Sequence, residues 1–125
     1  MDSDETLIAQ AQSLVRARPV RGGTLSEVGC VLITEHGERF TGACMDLACG
    51  IGFCAEHTAI AQMITHSDET HIAVIVAAND QGAIPPCGRC RELMSLLDER
   101  NLDTRIIISE DTSKTLRELL PEHWM

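Results

Sequence analysis

The chain has 125 residues, with 10 Lys+Arg against 19 Asp+Glu and a formal net charge of −9. That length fits one domain able to bury its own core, and the negative balance argues against coating a polyanion such as DNA or RNA. One Trp, two Phe and no Tyr leave it without the interleaved aromatics on which single-stranded bases stack.

In chain order, Met1-Asp2-Ser3-Asp4-Glu5 carries none of the positive charge that opens a secretory or transit segment. Leu7, Ile8, Ala11, Leu14 and Val15 recur at helical spacing until Pro19 and Gly22-Gly23, which predicts a helix over 4–17 with a solvated acidic face. The β-branched run 28–34, the turn-compatible pair His36-Gly37 and the run 38–45 predict a β-hairpin. Residues 53–66, with Ile60, Ala61, Met63 and Ile64, predict a second helix. The continuous apolar run 71–78 reads as a strand buried on both faces. Its longest uninterrupted stretch, Ile72 to Ala78, is seven residues, against the ~20 that a membrane span needs. Pro85-Pro86 leads into a helix over 87–99, followed by a strand over 105–109 and a short helix over 113–120 with Ser113 as N-cap. Alternating elements of this kind imply an α/β layered sandwich in one domain, 1–125.

The chemistry concentrates in Cys54-Ala55-Glu56 and Pro86-Cys87-Gly88-Arg89-Cys90, each where a loop feeds a predicted helix. Cys87 and Cys90, three apart on a first helical turn, present both sulfurs on one face, and Cys54 can supply a third. Helix N-termini favour the thiolate form that binds metal. Three protein ligands leave a tetrahedral zinc one open position for water, whereas structural zinc sites normally use four. Glu56, two residues beyond a ligand, is placed to act as general acid and base. Three thiolates give Zn²⁺ a net formal charge of −1, so compensation is expected from helix N–H groups, Arg89, Arg91 or His57. Cys30, Cys44 and Cys49 read as buried small apolar groups. Gly50 and Gly52 read as relief of backbone crowding.

These motifs resemble the zinc-dependent cytidine deaminase family, whose signature is a His or Cys followed by Ala-Glu and later Pro-Cys-x-x-Cys, and within it the blasticidin S deaminase-like branch. The resemblance runs from Val28-Gly29 through both motifs to Arg117-Glu118-Leu119-Leu120-Pro121. It implies a three-layer α/β/α sandwich around a mixed five-stranded sheet, assembled as a homotetramer or homodimer. It further implies a Zn²⁺ cofactor on Cys54, Cys87 and Cys90, and hydrolysis of the exocyclic amine of a cytosine-type nucleoside or analogue. Glu56 would take a proton from water, protonate the ring nitrogen and then the departing ammonia. Departures fall in the substrate half. The family's Asn and Glu, two apart after the second strand, correspond to Cys44 and Asp46, and an aromatic before Val28-Gly29 is replaced around Ser26 and Glu27. Trp124 falls where the family often carries an aromatic that covers the ring.

Other readings stay open on the residues alone. Cys87-Gly88-Arg89-Cys90 also suits a redox dithiol. A fourth ligand, His57 for example, would make a non-catalytic zinc-stabilised binding protein, and the same activated water could hydrolyse another aminated or N4-acylated ring. The expected partner is a small nucleoside-like molecule, not a nucleic acid or a membrane. The expected compartment is the cytoplasm, where six cysteines stay reduced.

Overall fold

The computed structural model describes residues 2–125. Helix α1 (Asp4–Gln12) is followed by strands β1 (Arg18–Val20), β2 (Gly23–Thr34) and β3 (Arg39–Leu47), then helix α2 (Ala55–His66), β4 (Ile72–Asn79) and β5 (Gly82–Ile84). Helix α3 (Gly88–Leu97), β6 (Arg105–Ser109), β7 (Thr112–Thr115) and α4 (Leu116–Leu119) complete the order. All seven strands join one sheet along β1-β2-β4-β6-β7, with β3 paired to β2 and β5 to β4. Among the described residues only β4 and β6 run parallel; the other pairings are antiparallel. The sheet is therefore mixed, as expected, but has seven strands rather than five, because the three-residue β1 and β5 add short pairings beside the longer β2 and β4.

Strand alternation divides the interior into two layers. Cys30 and Leu32 of β2 and Ile75 of β4 point toward Ala59, Ile60 and Met63 of α2 and Met94 of α3. The intervening Val31, Ile33, Val74 and Val76 point toward Leu7, Ile8 and Ala11 of α1. A nine-residue helix such as α1 is marginal alone, so this buried stripe holds it, with Ser3 accepting from the Thr6 N–H as N-cap. The α/β/α arrangement thus follows from the period-two pattern of β2 and β4.

Several boundaries differ from the sequence expectations. Helix α1 stops at Gln12 rather than continuing to 17. Leu14 and Val15 instead close two tight turns onto Ala11 and Gln12, and Arg16 donates to the Ser26 carbonyl. The predicted helix over 113–120 divides into β7 and α4. Its N-cap is Thr115, not Ser113, because Glu118 completes a reciprocal capping box with Thr115.

Two irregularities prepare the site. Between Leu25 and Gly29 the β2–β3 register shifts, a bulge that includes Ser26 in a left-handed conformation (φ 60°). Cys44 of β3 lies opposite this bulge, and its Sγ accepts from the Val28 N–H at 3.3 Å. Gly42 lets α2 lie directly on β3: a Cβ there would fall 2.4 Å from the Ala59 backbone nitrogen.

Candidate metal centre

Cys54 is the N-cap of α2 and Cys87 the N-cap of α3, both in extended backbone. Their sulfurs lie 3.3 Å apart. Cys90, in the first turn of α3, brings its sulfur to 3.7 Å from that of Cys87, and all three lie within 4.8 Å of one another. A tetrahedral zinc with Zn–S bonds of 2.3 Å needs sulfurs about 3.8 Å apart. The donor set and its spacing therefore fit that ion. Among the described residues no fourth His, Cys, Asp or Glu joins the trio. His57 stands outside it, its ring against Phe53 with centroids 5.1 Å apart and its buried Nδ1 unpartnered. The four-ligand arrangement with His57 is not what the structure adopts.

The thiols differ in electrostatics. Burial opposes ionisation of Cys87, but the nearby Cys90 and Arg89 N–H groups, which face its sulfur without closing a capping hydrogen bond, and the neighbouring thiols outweigh it, leaving Cys87 below the ordinary thiol value. Burial and the nearby Cys87 push Cys54 up. Burial, with Glu56 close by, pushes Cys90 well above the ordinary range. Of the three, Cys87 is the thiol whose surroundings favour the anion, whereas burial disfavours it at Cys54 and Cys90. Glu56 is 5% exposed, and burial raises its carboxyl above the usual carboxylate value. A carboxyl shifted in this direction holds a proton more readily than an exposed one, which suits a group that acts as base and then as acid.

Two cavities adjoin the trio. The inner one, about 180 Å³, is bounded by Val28, Cys44, Cys54, Glu56, Ile84 and Cys87. The outer one, about 280 Å³, has Asp46 and Arg89 at its polar edge and Met45, Leu47 and Phe53 among its walls. Its rim folds back on β3: Met45 and Phe53 exchange backbone hydrogen bonds of 3.0 and 2.9 Å, and a Cβ on Gly52 would fall 1.9 Å from the Met45 carbonyl oxygen. The expected role for Gly52 is therefore a real close approach, while Gly50 supplies a left-handed turn (φ 67°).

Of the residues singled out in the sequence, Cys54, Cys87, Cys90, Glu56, Cys44, Asp46 and Arg89 converge on this region. Glu27 is exposed in the bulge and lines neither cavity. Trp124 is 77% exposed on the C-terminal tail, so it does not cover the pocket of its own chain. The guanidinium of Arg91 is directed not at the sulfurs but at the carbonyl oxygens of Pro86 and Leu119. Cys49 is exposed, with φ 63°, correcting its reading as a buried group; Cys30 is buried and Cys44 half-buried. Sequence reasoning passed over the apolar walls Ile84 and Phe53, although each lies at or next to a motif it had singled out.

Residues 1–103 match the model of the cytidine and deoxycytidylate deaminase zinc-binding region. A cytidine deaminase of Halalkalibacterium halodurans is 32% identical over 100 residues, covering 76% of this chain and 74% of that protein. Crystal structures of cytidine deaminases from Burkholderia pseudomallei (TM-score 0.75, 23% identity, 98% of this chain and 100% of that one) and Mycobacterium tuberculosis (TM-score 0.73, 20% identity, 99% of each) share the fold.

Proposed function

The chain belongs to the cytidine and deoxycytidylate deaminase family, and from that premise we propose that Cys54, Cys87 and Cys90 hold its zinc while Glu56 carries the protons of a hydrolytic deamination. The protein is a zinc-dependent hydrolase of the C–N bond in a cytosine-type ring. The observation that carries the residue roles is the meeting of three sulfurs and one buried carboxyl at the starts of two helices. Bound zinc supplies the positive charge that lowers the pKa of water. Glu56 accepts the proton that water gives up and delivers it to the ring nitrogen, making the adjacent carbon electrophilic. The water oxygen bonds to that carbon, Glu56 then takes the remaining hydroxyl proton and passes it to the exocyclic amine, and as the C–N bond breaks ammonia leaves and the oxygen becomes the ring carbonyl. Val28, Ile84 and Phe53 shield the ring from bulk water, which strengthens each electrostatic interaction inside.

The substrate we assign is a free nucleoside-like molecule within the blasticidin S deaminase-like branch. Support for that branch is the thiol of Cys44 at the cavity wall, already engaged by the Val28 N–H and unable to replace both functions of an amide. Asp46 and Arg89 at the outer edge are the polar groups left to contact the remainder of the substrate. A closed homotetramer or homodimer is the proposed assembly, with Trp124 free to reach a neighbouring copy. The cytoplasm is the compartment that suits a trio of free thiols.

Kinetics test the assignment. Glu56→Gln should keep one zinc per chain and lose on the order of 10²–10⁴ in kcat; undiminished turnover would remove Glu56 from the mechanism. Ultraviolet absorbance on cytidine, deoxycytidine, blasticidin S and an N4-acylated nucleoside separates the ring-amine reading from an acyl hydrolase. Light scattering in solution gives the assembly, and a monomer contradicts it.

A further inference from the structure

We infer that Arg91 is a positioning residue that sets the direction of the Cys87 sulfur and makes the C-terminal helix α4 a mechanical part of the zinc site. This rests on the assignment of Cys54, Cys87 and Cys90 as zinc ligands.

Arg91 follows the ligand Cys90 on α3, yet its side chain turns back to the corner before the helix. Its Nε–H donates to the Pro86 carbonyl oxygen at 2.9 Å, and its Nη1–H donates to the Leu119 carbonyl oxygen at 3.0 Å. The Pro86 oxygen lies in the same rigid peptide plane as the Cys87 nitrogen, so holding that oxygen holds the orientation from which the Cys87 Cα–Cβ bond departs. The proline rings fix φ at Pro85 and Pro86, and the Arg91 N–H donates to the Cys87 carbonyl at 3.1 Å. Rotation about the Pro86 Cα–C bond, which swings the Pro86 carbonyl and the Cys87 nitrogen together, is still free in this corner, and the guanidinium restrains it. Cys87 needs this support: its side chain makes no capping bond, and the residue is exposed.

The second bond reaches the far end of the chain. Leu119 is the last residue of α4, and its carbonyl is one of those that a helix terminus leaves without an internal partner. A four-residue helix does not persist alone. It is held by the fully buried Leu116, by the Thr115–Glu118 capping box and by Arg91. Any loosening of α4 is therefore passed through one planar fork to the Pro86–Cys87 corner. The family match ends at residue 103, so the support comes from a segment beyond the part of the chain that carries the metal-binding signature.

A lysine at 91 separates positioning from charge compensation. It preserves the cation but cannot span both carbonyls with a rigid fork. Arg91→Lys should release zinc to a chromogenic chelator about 10–100-fold faster than wild type, the scale seen when a group supporting a metal ligand is removed. It should lower kcat more than it raises KM, with an unchanged far-UV spectrum. Thr115→Ala/Glu118→Gln, which weakens α4 without touching Arg91, should also speed release. Its effect should shrink in the Arg91→Lys background, because both changes act on one chain of contacts. Equal release rates for zinc-loaded wild type and Arg91→Lys, or fully additive effects of the two sets of substitutions, overturn the assignment of Arg91. A wild-type protein that takes up no zinc overturns the metal reading beneath it.

Discussion

Cys90 is fully buried, and a buried thiol resists ionisation unless a cation repays the lost hydration. Cys90→Ser is accordingly expected to lower zinc affinity at least about tenfold, measured by elemental analysis after dialysis against a mild chelator; full zinc retention would exclude Cys90 from the ligand set. Asn101 holds a different interior point. It is fully buried, its Oδ1 accepts from the Ile72 N–H at 2.8 Å, and its Nδ2 donates to the carbonyls of Thr70 and Met94, each at 2.9 Å. Asn101→Ala leaves these backbone groups without partners and should reduce the unfolding free energy by at least about 2 kcal/mol, read from urea denaturation. The contrast between the two residues explains what the sequence revealed. Cysteines and Glu56 lie within three residues of one another inside their motifs, so spacing exposes their chemistry. Asn101 accepts from a residue 29 positions away and Arg91 joins the Pro86 corner to a carbonyl 28 positions away, links that no local pattern encodes.

At the level of elements, the long apolar runs were legible because burial writes its period into the sequence: β2, β4, β6, α2 and α3 all follow from it. β1, β5 and β7 were not, since three or four residues of mostly half-exposed or exposed chain have too little apolar alternation to signal a strand and depend on their pairing partners. Thr115 was recoverable, because a threonine three residues before Glu118 is a capping signature that Ser113 lacks. The contact of α2 with β3 depends on the missing side chain of Gly42. Gly42→Ala would press a methyl group against the Ala59 nitrogen, and the backbone of Thr58 is also close. Displacing α2 should destabilise the fold by about 1–3 kcal/mol and, by shifting Cys54 and Glu56, reduce kcat more than the stability loss accounts for. Normal kcat with a lowered melting temperature would confine the effect to packing.

Across the whole molecule, the net charge of −9 and a sequence pI near 4.8 place the least soluble condition on the acid side. Two linked surface features sharpen the acid response. Glu69 joins the loop after α2 to the β2–β3 turn, receiving His36 at 2.6 Å. The Thr34 hydroxyl, with His36, Glu38 and the His36 N–H, holds its carboxyl down to about 2. Arg100, then Thr70, holds Asp98 below the ordinary carboxylate range. A depressed folded value means stability present above the unfolded value near 4.3 and lost as pH falls toward the folded value. Thermal melting between pH 5 and pH 2 should therefore steepen downward, and Glu69→Gln should flatten that limb; an unaltered profile would exclude Glu69 as its source. The two helices that open on cysteine extend the argument to folding itself. Neither Cys54 nor Cys87 supplies the side-chain acceptor that usually closes a first turn, a deficit of about 1 kcal/mol at each end. Sulfur made anionic by metal is a better acceptor for those amides than a neutral thiol, so demetallated protein should exchange backbone deuterium faster at residues 55–58 and 88–91 than elsewhere. By this account the ion serves the architecture as a clasp as well as a reagent, fastening the openings of two helices that the bare thiols leave loose.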